Sequence, residues 1–263
     1  MTTSPGIRPA EPRFWSVVSA FAVSDSRILW RMRTPLAFMF AVPAVLSLSL
    51  GPAVSGGGGA AAGGRSMIGI AVLFSLMTVN YVGLALFREF TNNTWIRQAV
   101  SQPAKLAFLV GKVLPVAGAG MIQLTVFGAI AFIAYGTPLH GSVLQLLVVA
   151  VALVAVGCAI GALLYIVTRT TSTFQSLAYI VLITTGCVGG SVVPDSQLPP
   201  FSRFLGLATP QHWALRALDE STSGGGSWGP TLQAVAIIAA MTLVCGVLAW
   251  RALDYRNAKS AQS

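Results

Sequence analysis

The sequence predicts an all-α, polytopic membrane protein with six transmembrane helices, an N-terminal interfacial amphipathic helix and a re-entrant outer helical hairpin before the sixth span. Three observations carry that prediction. Apolar residues make up 55% of the 263-residue chain and charged residues only 9%, with a mean hydropathy of +0.76; soluble domains carry roughly 25% charged residues. Apolar runs of crossing length recur along the chain, a helix needing roughly 20 residues at about 1.5 Å each to span a hydrocarbon layer of about 30 Å. Basic residues gather on alternate connections between those runs.

The chain divides into a cytoplasmic N-terminus with the interfacial helix (1–35), a transmembrane domain (36–250) and a cytoplasmic tail (251–263). In the first segment Phe14, Trp15, Val18, Phe21 and Ala22 fall at helical spacing with Ser, Asp and Arg between them. Such a helix lies along a bilayer interface; the other reading of this stretch is a poorly ordered basic tail. It lacks the small-residue cleavage pattern of a secretory signal, so the first span is expected to stay in the mature protein.

Six runs qualify as spans, at about 36–55, 67–87, 106–135, 143–168, 174–193 and 231–250. Pro43 and Pro115 kink rather than forbid such helices, because neighbouring helices satisfy the freed carbonyl. Of the 16 Lys and Arg residues, all but Arg65, Arg203 and Arg216 fall on one side. The positive-inside rule makes that side cytoplasmic, with both termini inside. The basic excess is spread over every inner loop, so nucleic acid is not an expected partner. The low-complexity loop 55–64 is given no site.

What the spans lack narrows the function. No Asp, Glu, Lys, Arg or His lies mid-span, and Lys112, near an inner end, is expected to snorkel. Fixed charges at membrane depth mark ion-coupled transport, so a secondary transporter is the weaker reading. Gly111-Lys112 is followed by Val113, without a phosphate-binding glycine loop, so the chain is not expected to hydrolyse ATP. No catalytic constellation or metal site is readable. His140 and His212 fall in outer loops or short helices, and Cys158, Cys187 and Cys245 lie in apolar runs without metal or redox spacing. Uncharged polar residues remain in the spans. Ser75, Thr78, Asn80, Gln175, Tyr179 and Thr184 either bond between helices for packing or line a route for a mostly apolar solute. Gly157 and Gly161 allow close helix approach within the chain.

Two connections stand out. In REFTNNTWIRQAVSQPAKLAFLVGK (88–112), Thr91 to Thr94 are good N-caps and a two-turn helix from Trp95 to Ser101 ends before Pro103. A helix that short needs a surface to dock on, either lipid headgroups or a cytoplasmic partner. In GGSVVPDSQLPPFSRFLGLATPQHWALRAL (189–218), Gly189-Gly190 and Pro194 end the fifth span. Pro199-Pro200 and Pro210 then open short helices at 201–208 and 211–220. Their apolar faces, with Phe201, Phe204 and Trp213, are too short to span. Such a hairpin dips into the outer leaflet and either caps a pathway exit or merely fills space.

Arg88-Glu89, Asn93-Thr94, Pro103 and Gly111-Lys112 in the first connection, with Gly189-Gly190, Pro194, Leu198-Pro199, Pro210 and Trp213 in the second, make the chain resemble the permease subunit of the ABC type-2 export family. That group includes the daunorubicin-resistance-type drug exporters of actinobacteria. The resemblance covers essentially the whole chain. It departs at Asn93-Thr94-Trp95-Ile96-Arg97, where the family commonly has a Gly-Thr-Leu-Glu-like run.

The resemblance implies a permease without its own cofactor, paired with a second copy or a sibling and driven by two ATP-binding cassette subunits that hold ATP and Mg2+. It implies ATPase-subunit docking through Glu89, Thr94, Trp95, Ile96, Arg97, Gln98 and Pro103, and a route lined by spans one, two and five. Gly189, Gly190, Pro194, Phe201, Phe204 and Trp213 are then the outer gate. The expected cargo is hydrophobic or amphiphilic, such as a drug or antibiotic. Export of a lipid or lipid-linked glycan by the same fold, ion-gradient-driven transport, and a non-transporting membrane anchor remain as rivals.

Overall fold

The computed structural model describes residues 14–54, 59–91, 104–193 and 197–253. All ten elements named below are helices: α1 (Phe14–Arg31), α2 (Arg33–Val54), α3 (Gly59–Ser75), α4 (Met77–Thr91), α5 (Lys105–Ile133), α6 (Val143–Val167), α7 (Thr171–Val188), α8 (Pro200–Gly206), α9 (Pro210–Thr222) and α10 (Trp228–Ala252).

Five helical stretches among the described residues are long and apolar enough to cross a membrane: Gly63–Glu89, Lys105–Ile133, Val143–Val167, Thr171–Val188 and Trp228–Ala252. The first predicted span corresponds to α2, whose described apolar stretch, Leu36–Ser47, is shorter than a crossing. The second is one long rod interrupted at Leu76, where α3 gives way to α4. The interruption has a local cause. Ser75 Oγ donates to the Val72 carbonyl at 2.7 Å and Thr78 Oγ1 to the Ser75 carbonyl at 2.8 Å, and such back-bonding by hydroxyls bends helices.

Helix starts follow their capping chemistry. Ser142 and Gln145 form a reciprocal capping box at α6: the Gln145 N–H donates to Ser142 Oγ and the Ser142 N–H to Gln145 Oε1 at 2.7 Å. Thr170 caps α7 by accepting from the Thr173 N–H, and Thr209 caps α9 by accepting from the His212 N–H. Gln145 also donates through Nε2 to the Gly226 and Ser227 carbonyls, both at 3.1 Å, tying the α9–α10 connection to the start of α6.

The α3–α4 rod is the most enclosed of the long helices, and α6 lies beside it, against α4, α5, α9 and α10. In lipid no hydrophobic force drives helices together, so close van der Waals packing of small residues carries more of the association. Gly157 and Gly161 of α6 perform that role within the chain: a Cβ at Gly161 would stand 2.7 Å from the Val79 carbonyl oxygen, and Gly157 sits against Thr78. Further along the rod, Phe87 packs edge-on against Tyr165 and obliquely against Phe174, with centroids 5.0 and 5.6 Å apart.

The Pro43 kink is satisfied from outside its own helix. Proline removes the N–H that would donate to the Met39 carbonyl four residues back. Gln123 Nε2 of α5 donates to that carbonyl instead, at 3.1 Å, from a fully buried side chain.

Candidate functional site

Three arrangements bear on function: a charge cluster where α1, α4 and α5 meet, a cavity among α2, α3–α4 and α7, and the end of α7 under the α8–α9 hairpin.

The charge cluster corrects the expectation for Lys112. Rather than snorkelling, it is buried, with 3% of its surface exposed. Its ammonium lies 3.2 Å from Asp25 Oδ1 and 2.9 Å from Asp25 Oδ2, and it also pairs with Glu89 Oε1. The Phe21 ring lies over the same nitrogen, 5.5 Å from it, and meets Phe108 edge-on. Gly111 makes this geometry reachable. A Cβ there would stand 2.7 Å from Phe21 Cβ and 3.0 Å from the Val18 carbonyl oxygen, so only glycine lets α1 come this close to α5. The Gly111-Lys112 pair therefore has a packing role, one residue for approach and one for charge. Burial pushes the Asp25 carboxyl above its ordinary value, and the Lys112 ammonium opposes that rise. Sequence reasoning missed Asp25. The available signal was a lone acid in an otherwise basic amphipathic helix, which reads as solvent-facing until a partner is known.

Glu89, expected to dock a partner, thus has its carboxylate on Lys112. The rest of the expected docking set, Thr94, Trp95, Ile96, Arg97, Gln98 and Pro103, lies outside the described residues, as does the expected 95–101 helix.

The cavity among α2, α3–α4 and α7 has a volume of about 540 Å³. Phe38, Phe74, Met77 and Leu182 form much of its oily wall, and Asn80, Gln175 and Tyr179 supply the polar groups. Asn80 Nδ2 lies 3.4 Å from the Tyr179 hydroxyl, and Asn80 Oδ1 is buried with no hydrogen-bond partner among the described residues. Of the six route candidates, three therefore meet in one cavity. Ser75 and Thr78 do not line it: both are fully buried, their hydroxyls bonded to their own helix at the Leu76 break. Thr184 is exposed on α7 and does not line it either.

At the end of α7, Gly189 is the C-cap and Gly190 follows at φ +80°. The Ser191 N–H donates to the Gly186 carbonyl at 3.1 Å, closing the six-residue loop of a Schellman motif. Gly190 is the position where L side chains are strained. The stop is pressed against α9: a Cβ at Gly189 would stand 2.8 Å from Thr209 Oγ1, and Gln211 Nε2 donates to Thr185 Oγ1 at 2.8 Å. The Trp213 indole N–H donates to the Leu207 carbonyl at 2.9 Å, pinning α9 to the end of α8. Phe201 and Phe204 are 72% and 71% exposed, so α8 turns its aromatic side away from the protein. Pro194, the remaining gate candidate, lies outside the described residues.

Five helical stretches long and apolar enough to cross a membrane, among the described residues, are those of a multi-pass membrane protein. Residues 61–251 match the family described as ABC-2 family transporter protein, and the chain belongs to that family. No curated protein matches the chain. Membership makes this a membrane-embedded transport subunit of an ABC transporter, a complex that includes an ATPase partner.

Proposed function

We propose that the chain is the permease subunit of an ATP-driven exporter that moves hydrophobic or amphiphilic compounds, drugs and antibiotics among them, out of a bacterial cell. On this reading α2 is the first of six spans, α1 lies along the inner interface and both termini are cytoplasmic. The α8–α9 hairpin enters the outer leaflet as a gate made by Gly189, Gly190, Pro194, Phe201, Phe204 and Trp213. Two copies, or this chain and a sibling, flank the route. Two ATP-binding cassette subunits hold ATP and Mg2+ and grip the segment containing Thr94, Trp95, Ile96, Arg97, Gln98 and Pro103. Closure of those subunits on ATP pushes the connection between α4 and α5 and tilts both helices, the discrete rearrangement that alternating access requires.

The observation that carries the cargo class is the wall of the cavity among α2, α3–α4 and α7. It is oily, has three uncharged polar side chains, Asn80, Gln175 and Tyr179, and is lined by no charged residue among the described residues. Such a wall favours a largely apolar solute held by a few hydrogen bonds.

The test is reconstitution of the permease with its nucleotide-binding partner in vesicles, following a fluorescent amphiphilic drug such as daunorubicin. ATP-dependent movement is expected, with Asn80→Leu or Tyr179→Ala lowering the rate about tenfold. Uphill movement driven by an ion gradient with ATP hydrolysis blocked would overturn the reading in favour of secondary transport.

A further inference from the structure

A second cavity, of about 400 Å³, lies between α3, the end of α7 and α9, beside the hairpin. It is within the roughly 300–1,000 Å³ typical of ligand sites. Unlike the oily cavity it is charged, lined by Arg65, His212, Arg216, Asp219 and Glu220 with the Gly190 turn at its edge. We propose that it binds the anionic headgroup of a membrane amphiphile, with Arg216 and Arg65 recognising the anion and the exposed aromatic side of α8 seating the acyl chain.

The charge pairing inside the cavity leads to this assignment. Asp219 is engaged by Arg65 at 2.5 Å. Glu220 Oε1 accepts from the Gly225 N–H at 3.1 Å, the Ser227 N–H at 3.4 Å and Ser227 Oγ at 3.3 Å, so that carboxylate is committed to the turn after α9. Arg216 forms no ion pair with either acid. Its guanidinium lies over the Trp213 ring, 5.8 Å from the centroid, within cation–π range. A cation–π contact holds the guanidinium beside the ring while leaving N–H groups for a planar or tetrahedral anion. Arg65, about a third exposed at its side chain, places a second guanidinium on the same wall.

The tail half follows from continuity. Trp213 carries Arg216 on its ring and donates through Nε1 to the Leu207 carbonyl. One aromatic residue therefore links the charged cavity to the end of α8. There Phe201, Phe204 and Leu207 are 72%, 71% and 46% exposed. A headgroup beside an oily ridge of this kind fits an amphiphile better than a small free anion.

The inference rests on the placement of the hairpin in the outer leaflet proposed above, but not on ATP-driven export. The test uses the full chain in phosphatidylcholine vesicles doped with phosphatidylglycerol or phosphatidylcholine carrying a photoreactive acyl chain, with adducts mapped by peptide mass spectrometry. Adducts on 197–213 are expected to be about fivefold more abundant from phosphatidylglycerol. Arg216→Gln should bring the two lipids level, and Arg216→Lys should restore part of the preference. Equal labelling by both lipids in the wild type, or an unchanged preference in Arg216→Gln, overturns the site. Full competition by millimolar glycerol phosphate would instead identify a soluble anion as ligand and overturn the acyl-chain half. If Arg216→Gln fails to fold, Arg65→Gln supplies the second variant, with loss of preference again expected. Transport is scored separately: a chain that binds the lipid but shows no ATP-dependent export counts against the export reading alone.

Discussion

Lys112 of α5 lies 2.9 Å from the Asp25 carboxylate of α1, both side chains almost wholly buried, and completes its pairing with Glu89 of α4. The three residues come from helices on either side of the 92–103 connection and from the N-terminal helix, so one ammonium joins all three. Both carboxylates meet the same ammonium, so the three side chains should respond differently to mutation.

Lys112→Met leaves the buried Asp25 carboxylate without its ammonium partner and takes one cation from Glu89. Breaking a buried pair by removing one partner costs about 3–5 kcal/mol, so thermal unfolding in detergent should show a large drop. Adding Asp25→Leu and Glu89→Gln to the same chain should recover most of it. A drop that persists in the triple variant would mean that packing of the lysine stem, not charge, is what matters.

Asp25→Asn should behave in the opposite sense. A carboxyl whose folded value lies above its ordinary 3.8 binds its proton more tightly in the native state than in the unfolded one. Stability therefore falls as pH rises from that ordinary value through the elevated one. The neutral amide escapes this loss, so the variant's melting temperature relative to wild type should increase from pH 4 to pH 7. A difference that is flat with pH would contradict the direction assigned to Asp25.

Glu89→Ala and Trp95→Ala, alike from sequence, should now separate. Trp95→Ala is expected to uncouple ATP turnover from efflux without lowering the melting temperature. Glu89→Ala is expected to do both, because it also strips Lys112 of one carboxylate. Unchanged efflux in both variants would remove the claim that this connection transmits the stroke.

Gly190→Leu forces a branched side chain to φ +80°, at a cost of roughly 1–2 kcal/mol. The expected outcome is impaired export with subunit assembly retained, measured by transport beside size-exclusion of the complex. Wild-type transport in this variant would leave the hairpin as filler rather than a gate.

Gln123→Leu removes the donor that serves the Met39 carbonyl at the Pro43 kink. An orphaned buried carbonyl costs about 1–3 kcal/mol, readable in the same melt. Little change would show that α2 satisfies its kink by another route.

Several parts of the structure were legible in the sequence for identifiable reasons. Long apolar runs have one workable conformation in lipid, because every backbone polar group must bond within its own segment. The helices from α5 to α10 accordingly sit close to their predicted ranges. Proline and glycine signals are also local, so the stop at Gly189-Gly190 and the helix starts at Pro200 and Pro210 were readable, as was the close helix approach at Gly157 and Gly161. The Leu76 break was not, because spans contain many Ser and Thr residues and no local pattern marks which of them back-bond to their own helix. The candidate route was half readable. Periodicity nominates polar residues in a span, but burial against α5 and α6 removed Ser75 and Thr78 from the list, while helix facing gathered Asn80, Gln175 and Tyr179.

By itself the sequence determined the membrane class, the helical segments and the residues at which helices break, since these depend on hydrophobicity and backbone sterics over a few neighbouring positions. Only the tertiary structure decided that Lys112 is buried between Asp25 and Glu89 and that Gln123 serves a carbonyl on another helix. It alone left Arg216 on an aromatic ring beside acids committed elsewhere. Charges and hydrogen bonds act through space over a few ångströms, and the partners in these cases are separated by up to 154 residues of chain, a relation that no local pattern encodes.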